Sequence, residues 1–337
     1  MKAAEPIRSC SFTKNADFGG CRKKMEKKLD LICIGMALVD SIIKGFDPNP
    51  ISASGYRAES NTLNVGGEAV NEAVAAARLG TRTGILCALG KDAAGEMVLG
   101  MLQGAGVDTQ RVIVSEDHAT PVTTMFVRED GGRQSITNQA HRYNFHPEKD
   151  TDRFTDARAI ILGSLFRAPF DDPDIIYEVL KAAKENHQTV IADTKLPNFR
   201  VLHLEDIREA LPLIDYITPN EDEAKFFTGE EKPDAMADVF LSHGIKNVII
   251  KLGAKGCFFK NSKGAVLLPP HDIQAVDATG AGDNFVAGFA SELLRGKTSE
   301  EALRFANACG AICTTAVGAG TALRSREQVL QFLEEKG

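Results

Sequence analysis

Short apolar runs alternate with stretches of helical periodicity along most of the chain. An apolar run of four to eight residues bounded by turn signals is typical of a buried strand. Apolar positions three and four apart indicate a helix that packs on a sheet. The predicted strands are Leu29–Gly35, Thr83–Leu89, Ala159–Gly163, Thr189–Asp193, Asp215–Thr218 and Asn247–Leu252, and the clearest predicted helices are Ala69–Leu79, Ala93–Ala105, Pro173–Asn186 and Asn284–Leu294.

Strand and helix in steady alternation predict parallel strands covered on both faces. The expected fold is α/β and doubly wound, with a mostly parallel sheet sandwiched by helices and a site at the carboxyl ends of the strands. Two stretches, Ser41–Val65 and Thr120–Ala140, break the pattern, because they hold short β-branched runs without helical periodicity. We interpret them as strands of a small separate sheet hinged to the main domain, with two surface hairpins as the alternative.

The first 28 residues differ from the rest in charge and in pattern. Residues 1–28 carry eight Lys or Arg against three Asp or Glu, whereas the whole chain has a formal charge of −7. They lack the apolar stretch of a signal peptide. We therefore interpret residues 1–28 as an irregular leader and residues 29–337 as one domain. Met25 is a candidate natural start, and we expect residues 1–24 to be dispensable for folding.

Composition argues against several classes of function. An acidic chain is a poor match for nucleic acid, which binds basic faces. No apolar run approaches the ~18 residues that would span a membrane. The seven cysteines are scattered and form no C-x-x-C pair, so a reducing, cytoplasmic location fits best. Because the net charge is negative, local donors are expected to bind any nucleotide phosphate.

The segment Asp277-Ala-Thr-Gly-Ala-Gly-Asp283 carries the strongest chemical signal. Small residues at a helix start leave backbone N–H groups free and let an anion come close. The helix dipole adds about half a positive charge there. A carboxylate in the same turn repels an anion, but it has a purpose if it accepts a proton from an attacking hydroxyl. Asp283 is therefore a candidate general base, and an ordinary capping aspartate in a glycine-rich turn is the alternative.

This segment resembles the C-terminal motif of the ribokinase-like (PfkB) carbohydrate kinases. The family's N-terminal glycine motif is matched by Gly66-Gly67-Glu-Ala-Val-Asn71, which leads into a predicted helix. The resemblance covers roughly residues 29–337. It implies a doubly wound domain, a β-sheet lid made of the two irregular stretches, and MgATP as phosphate donor. It also implies that Asp283 is the base and that the N–H groups of Gly280, Ala281 and Gly282 form an anion hole.

The resemblance also implies a set of acceptor-binding residues. Asp40 matches a carboxylate that binds sugar hydroxyls, with the exposed polar end of a strand as the alternative. Gly66, Gly67 and Asn71 match the glycine motif that contacts the substrate. Glu68 stands where ribokinase has no acidic residue, so the sugar contacts are expected to differ there.

Two basic residues suggest what kind of acceptor is bound. Arg167 aligns with a sugar-binding glutamate of ribokinase. A base in place of an acid favours an acceptor with a carboxylate or phosphate, because guanidinium pairs with either through two parallel hydrogen bonds. The alternative is that Arg167 turns outward to solvent. Lys195, two residues after Asp193, is expected to add positive charge on the same side or at the ATP phosphates.

Nucleotide and metal contacts complete the implied site. Asn220 and Glu223 match an N-x-x-E element that helps to organise Mg²⁺ and phosphates, with Glu223 acting through water. The same pair also has the spacing of a capping box, and both roles can hold together. Asp277 and Thr279 match positions around a monovalent cation, which makes K⁺ a candidate cofactor. The implied ATP contacts are Asn220, Lys251, Gly253, Gly256 and Asn307.

The expected reaction is transfer of the ATP γ-phosphoryl group to a primary hydroxyl of a sugar or sugar acid. A nucleoside or sugar-phosphate kinase of the same family and a non-catalytic ligand-binding regulator are the nearest alternatives. A dinucleotide-dependent oxidoreductase is disfavoured, because no G-x-G-x-x-G follows the first strand. The expected partners are a small-molecule sugar and ATP, with no nucleic acid and no membrane. The open edges and outer face of the lid predict a homodimer through the lid.

Overall fold

The computed structural model describes residues 27–48, 54–130, 132–138 and 145–336. Residues 1–26 of the predicted leader therefore lie outside the described residues, as do short parts of the two irregular stretches, at 49–53, 131 and 139–140. In the described part, Lys27 Nζ donates hydrogen bonds to the carbonyl oxygens of Thr155 and Asn186, at 2.6 and 3.1 Å. The chain therefore contacts the main domain from Lys27 onward.

The main sheet has eight strands, six of them in parallel pairing. They are β1 (Leu29–Ile34), β4 (Thr83–Leu86), β9 (Ala157–Leu165), β10 (Thr189–Thr194), β11 (Tyr216–Thr218), β12 (Asn247–Lys251), β13 (Cys257–Asn261) and β14 (Gly264–Leu268). Their order is β14-β13-β12-β11-β10-β9-β1-β4. Pairing is parallel from β12 through β4 in that order and antiparallel in the β12-β13-β14 edge. This confirms the predicted mostly parallel sheet and adds an edge hairpin that the alternation did not predict.

Helices cover both faces of this sheet and bury two hydrophobic cores. Alternate side chains of β1 show the division, because Leu31 and Cys33 belong to one core while Ile32 and Ile34 belong to the other. A strand buried on both faces requires this continuous apolar sequence. One face carries α1 (Glu68–Arg78), α2 (Ala93–Gly104), α6 (Ala281–Leu294), α7 (Ser299–Cys313) and α8 (Arg326–Lys336), and the other carries α3 (Pro173–Glu185), α4 (Glu221–Thr228) and α5 (Pro233–Ser242).

The two irregular stretches form a separate four-stranded sheet. Its strands are β2 (Leu38–Lys44), β3 (Ser60–Gly66), β7 (Val122–Val127) and β8 (Arg133–Thr137), in the order β3-β2-β7-β8. Strand β2 begins only four residues after β1 ends, so the small sheet starts directly beside the carboxyl end of the main sheet. The predicted small sheet is confirmed over the described residues, and the alternative of two independent hairpins is wrong.

The predicted strand Thr83–Leu89 is wrong as a single element. The chain leaves the main sheet after β4, and β5 (Ala88–Gly90) pairs instead with β6 (Ile113–Ser115) in a two-stranded sheet. At the junction, the carbonyl oxygen of Cys87 accepts a hydrogen bond from the Ile113 amide at 2.9 Å. Hydrophobicity is continuous across the junction, so the change of partner strand leaves no signal in the local pattern.

The two faces of the small sheet differ in character. One cross-strand row holds Asn64, Asp40, Thr123 and Thr137, and the next row, on the opposite face, holds Leu63, Ser41, Thr124 and Ile136. Successive residues of a strand point to opposite faces of the sheet. The polar row therefore lies on one face, and the row with Leu63 and Ile136 lies on the other. Leu63 and Ile136 are 59% and 67% exposed. The face carrying Asp40 lies near the start of α1, because the Asp40 carboxylate contacts Gly66 and the charge of Glu68, the first residue of α1, acts on it.

Candidate active site

The predicted catalytic carboxylate is buried in the first turn of α6. Asp283 is 8% exposed, and its Oδ2 accepts a hydrogen bond from Asn71 Nδ2 at 2.7 Å. Burial raises the pKa of Asp283 to about 6, and the neighbouring carboxylate of Glu68 acts in the same direction. Lys195 and the Asn71 amide oppose that rise in pKa. A carboxylate with this pKa is largely ionised at neutral pH and is still a stronger base than an ordinary aspartate.

The glycine-rich turn before Asp283 offers backbone donors to an anion. Gly280 adopts a left-handed conformation with φ 75°, and α6 begins at Ala281. Within the described part of the chain, the amides of Gly280 and Gly282 donate no hydrogen bond, whereas the Ala281 amide donates to the Ala278 carbonyl oxygen at 3.2 Å. Lys251 Nζ lies 3.3 Å from the position that a Cβ would occupy on Gly282. The turn therefore combines two free amides, a helix N-terminus and an ammonium group.

Asn284 holds this turn in place, and sequence reasoning did not identify it. Its Nδ2 donates to the carbonyl oxygens of Gly280 and Ala319, both at 2.8 Å, and the residue is 1% exposed. A buried amide that joins two separate loops fixes their relative position, because an unpaired carbonyl there would be costly. The signal was a polar residue in an otherwise apolar helix face, directly after the catalytic position.

The residues predicted to bind the acceptor surround the start of α1. Gly66 ends β3, and Gly67 follows with φ 103°, where a Cβ would collide with the Met36 carbonyl oxygen. Asp40 lies on β2 against Gly66, and Asn71 lies one turn into α1, where it reaches Asp283. Burial raises the pKa of Asp40 to about 6, and the charge of Glu68 adds to the effect. The structure thus brings the two predicted glycine motifs into direct contact, through the hydrogen bond from Asn71 to Asp283.

The two predicted basic residues each have a partner within the protein. Lys195 Nζ lies 3.0 Å from Glu68 Oε1. Arg167 Nε donates to the Leu196 carbonyl oxygen at 2.7 Å. The Glu68–Lys195 ion pair was not predicted, because the two residues are far apart in sequence and meet only through the fold. Burial would raise the pKa of Glu68, but Lys195 overrides that effect and lowers the pKa to about 2.

The ends of β10, β11 and β12 form a second polar cluster. Lys251 Nζ donates to Asp193 Oδ1 at 2.5 Å, and Thr218 Oγ1 donates to the same oxygen at 2.6 Å. Asp193 is 4% exposed. Sequence reasoning used Asp193 only as a landmark, although an acidic residue at the end of a buried strand is a usable signal. Burial lowers the pKa of Lys251, but Asp193 more than reverses this, so the ammonium stays charged.

Asn220 and Glu223 lie beside this cluster at the start of α4. The Asn220 side chain accepts from the Glu223 amide at 2.8 Å, and Glu223 Oε2 accepts from the Asn220 amide at 2.9 Å. Thr194 Oγ1 also donates to Glu223 Oε2, at 2.8 Å. The capping box is therefore present. Both Glu223 oxygens accept protein hydrogen bonds, Oε1 from Asn220 Nδ2 at 2.8 Å, which suits contact with a metal through water better than direct ligation.

The remaining predicted residues hold loops around the helix start. Asp277 Oδ1 accepts from the amide and hydroxyl of Thr279, and Oδ2 accepts from the Gly318 amide at 2.9 Å. Asn307 Nδ2, on α7, donates to the Pro269 carbonyl oxygen at 2.7 Å. Gly253 and Gly256 have φ 58° and 92° in the turn between β12 and β13. Among the described residues, no group of three or more His, Cys, Asp or Glu side chains could hold a metal ion.

Glu72 is a buried acid that sequence reasoning missed. It lies on α1 with 0% exposure, and neither of its carboxyl oxygens has a hydrogen-bond partner among the described residues. Burial raises its pKa well above the ordinary value, and Asp193 and Asp283 add to the rise. The raised pKa favours the protonated, neutral form of Glu72, which adds an acid to this region without adding a negative charge.

A helix start with free amides and a buried carboxylate suits phosphoryl transfer to a hydroxyl. A sequence profile described as pfkB family carbohydrate kinase matches residues 28–326. The ribokinase of Haemophilus influenzae is 32% identical over 277 residues, covering 80% of this chain and 87% of that protein. The 2-dehydro-3-deoxygluconokinase of Bacillus subtilis is 30% identical over 290 residues, covering 82% and 89%.

A solved structure shows the same fold. The ribokinase of Arabidopsis thaliana, solved with ribose and ATP, superposes with a TM-score of 0.81 at 27% identity, over 91% of this chain and 99% of that one. The chain therefore belongs to the pfkB family of carbohydrate kinases. It is an ATP-dependent sugar kinase. In the described residues, no helix combines the length and the hydrophobicity needed to cross a membrane.

The pKa values of the site predict how activity depends on pH. Asp283 and Asp40 both have pKa values of about 6, and the roles predicted for them, a base and a hydrogen-bond acceptor, require the ionised form of each. We expect kcat/KM for the acceptor to fall as the pH drops below about 6, more steeply than one ionising group would give. Because the Asn71 amide lowers the pKa of Asp283, Asn71→Ala should move this acid limb to higher pH.

The measurement is a pH–rate profile of the wild type, Asn71→Ala and a control, Asn261→Ala. Asn261 donates to Asn247 Oδ1 at 3.0 Å at the far edge of the sheet, so its loss should leave the profile unchanged. A wild-type profile that stays flat down to about pH 4, the ordinary range for aspartate, would contradict the raised pKa values.

Proposed function

We propose that this kinase transfers the γ-phosphoryl group of MgATP to a primary hydroxyl of a sugar or sugar acid, with Asp283 as general base. One observation carries the proposal: the buried Asp283 carboxylate lies in the first turn of α6, beside two free amides, and is held by Asn71 at 2.7 Å. A proton acceptor and an anion site are thus adjacent, as attack of a hydroxyl on a phosphoryl group requires.

The acceptor would lie between the small sheet and the start of α1. The Asp40 carboxylate would accept hydrogen bonds from the acceptor hydroxyls, and the Asn71 amide group would donate to them. Gly66 and Gly67 let the acceptor come close to the backbone because they carry no side chain. Asp283 would take the proton of the attacking hydroxyl. The small sheet would act as a lid, and closing it would exclude water that could otherwise hydrolyse ATP.

The phosphoryl oxygens would be stabilised by the start of α6 and by Lys251. Among the described residues, the amides of Gly280 and Gly282 have no hydrogen-bond acceptor, and Lys251 Nζ lies close to Gly282. Ala281 completes the turn, although its amide already has a partner. A charged donor placed where negative charge develops stabilises the transition state. Gly253, Gly256, Asn220 and Asn307 are proposed to contact the nucleotide.

Mg²⁺ is proposed to bind with ATP, where it would neutralise charge on the β- and γ-phosphates. Glu223 and Asn220 fit this role through water, since few protein oxygens are needed when phosphates and waters supply the rest. A monovalent cation such as K⁺ is proposed beside Asp277 and Thr279. The oxygen-rich loop there, with the Asp277 carboxylate, offers the ligand type that such a cation prefers, although its carboxylate oxygens also accept protein hydrogen bonds.

Two further functions keep the same fold. A nucleoside or sugar-phosphate kinase would use the same base and anion site with a different acceptor pocket. A non-catalytic regulator would need neither the Asp283 carboxylate nor the free amides, and the presence of both favours catalysis. A cytoplasmic location is also our proposal, on the basis of the scattered cysteines.

Replacing Asp283 tests the general base. Asp283→Asn keeps the size of the side chain and removes the base, so we expect kcat to fall by ~10² or more while ATP affinity is largely kept. The measurement is ADP release from ATP across a panel of sugars, sugar acids, nucleosides and sugar phosphates, with calorimetry for ATP binding. Asp234→Asn, which alters an exposed pair with Lys260, is the matched control. Near-normal turnover of Asp283→Asn would show that the base is wrong, and release with none of the acceptors would favour a regulator.

We further propose a homodimer through the small sheet. The outer face exposes Leu63 and Ile136, and exposed apolar side chains on a sheet favour pairing with a second copy. Light scattering should give twice the chain mass for the wild type and the chain mass for Leu63→Glu/Ile136→Glu. The exposed apolar residue Val201, replaced by Glu, serves as control and should leave the dimer intact. A monomer mass for the wild type at working concentrations would end this proposal.

A further inference from the structure

The acceptor end of the crevice contains an ion pair that the phosphoryl-transfer chemistry does not need. Glu68 is the first residue of α1 and follows directly on Gly66 and Gly67. Its Oε1 lies 3.0 Å from Lys195 Nζ, just beyond the end of β10. The Glu68 side chain is 18% exposed and that of Lys195 is 37% exposed. The pair therefore joins the acceptor motif to the carboxyl end of the main sheet, at the edge of the crevice.

The charges around the acceptor position are mainly negative. Asp40, Glu68 and Asp283 face this region, and Glu68 acts electrostatically on both of the others, since it raises the pKa of each. Lys195 pairs with Glu68 and also lowers the pKa of Asp283. Lys251 is neutralised by Asp193 at 2.5 Å. Three carboxylates against one ammonium leave a net negative field in a partly buried site, where screening by water is weak.

Arg167, the residue on which an anionic acceptor was predicted, has a backbone partner. The Arg167 guanidinium donates to the Leu196 carbonyl oxygen through Nε at 2.7 Å. The basis for expecting an anionic acceptor was a bidentate contact from this side chain, and the observed bond fixes one edge of the guanidinium on the backbone. A bidentate contact from Arg167 to a carboxylate or phosphate would therefore have to use its two Nη groups.

Helix-terminal electrostatics alone do not account for Glu68. A carboxylate in the first turn of a helix is favourable with respect to the dipole, and such a residue is ordinarily solvated. The Glu68 side chain is instead about four-fifths buried and pairs with Lys195, which follows strand β10. An ionised carboxylate can only accept hydrogen bonds, and hydroxyl groups are the donors that an uncharged sugar supplies.

From this geometry we infer that the Glu68–Lys195 pair makes the kinase select an uncharged polyol acceptor over one bearing a carboxylate or phosphate. Glu68 is then a specificity-determining residue. Its carboxylate repels a carboxylate or phosphate on the acceptor and accepts hydrogen bonds from acceptor hydroxyls, while the positive charge of Lys195 limits the repulsion. This inference rests on the proposed function and narrows its acceptor class.

The two members of the pair should have opposite effects on selectivity. Selectivity here means kcat/KM for an uncharged aldose divided by kcat/KM for the matching aldonic acid. We expect the wild type to favour the aldose by on the order of ten- to a hundredfold. Glu68→Gln removes a negative charge and should lower this ratio about tenfold, with a raised KM for the aldose. Lys195→Met removes the positive charge and should raise the ratio.

Three controls keep the experiment decisive. Glu300→Gln breaks an exposed pair with Arg304 at 2.8 Å on α7 and should leave the ratio unchanged. Thermal unfolding of each variant separates a folding defect from a change of selectivity, and Glu68→Asp, which restores the charge, should recover part of the wild-type ratio. Loss of packing alone would lower kcat/KM in both Glu68→Gln and Lys195→Met, and by the same factor for the aldose and the aldonic acid.

The outcomes distinguish this inference from the proposed function. If no sugar, acid or alcohol accepts phosphate from ATP, the proposed function itself fails. If the wild type phosphorylates acceptors but favours the aldonic acid, the proposed function stands and the charge-selection inference is wrong. The same conclusion follows if Glu68→Gln and Lys195→Met change the aldose-to-acid ratio in the same direction.

Discussion

The proposed reaction places a buried carboxylate and a phosphoryl group at the positive end of the same helix. Asp283 gains from the α6 dipole, and the phosphoryl group would use the same positive potential. The structure resolves this conflict with counter-charges supplied by other elements. Lys251, at the end of β12, lies close to Gly282. Lys195, which follows β10, forms an ion pair with Glu68 and so offsets part of the negative charge near Asp283. Each lysine is itself paired with an acid, which leaves the carboxylates of Asp40 and Asp283 as the net negative charge of the site.

Close backbone approach makes this charge arrangement possible. The first turn of α1 packs directly on the ends of β1 and β9, where Gly35 and Gly163 face Ala69. A Cβ at Gly163 would lie 3.0 Å from the Ala69 amide nitrogen and 3.1 Å from Glu72 Oε2. Larger side chains at these glycines would push α1 outward and separate Asn71 from Asp283. The α1–α6 contact is therefore set by small residues in the strands beneath it.

Local sequence pattern was enough for much of the fold and for part of the site. Periodicity predicted six strands of the main sheet, and the motifs predicted that Asp283, Asn71, Asp40 and the glycines converge. The β13–β14 hairpin was missed because the alternating pattern of a strand–helix fold gives no warning of an antiparallel edge. The Glu68–Lys195 pair was missed for a different reason: it joins residues that are distant in sequence, and a lone glutamate at a helix start has an ordinary local explanation.

Asn284 and Glu72 stand out in the local sequence pattern, but the pattern does not show what they do. Both are polar residues on otherwise apolar helix faces, so each departs from its local pattern. The pattern marks them as unusual, but only the fold shows that Asn284 bridges Gly280 to Ala319 and that the Glu72 carboxyl oxygens have no hydrogen-bond partner in the described part of the chain. Arg167 is the converse case, since the alignment placed it correctly near a strand end and could not reveal that its guanidinium bonds to Leu196.

The central claim is that Asp283 and the start of α6 together bind the two reacting groups. A crystal structure with a non-hydrolysable ATP analogue, Mg²⁺ and a phosphorylatable uncharged sugar tests it most directly. We predict that one primary hydroxyl lies about 2.6–3.2 Å from an Asp283 carboxylate oxygen, with the terminal phosphate on the amides of Gly280 and Gly282. A sugar bound out of reach of Asp283, or phosphates bound away from the start of α6, would contradict the account.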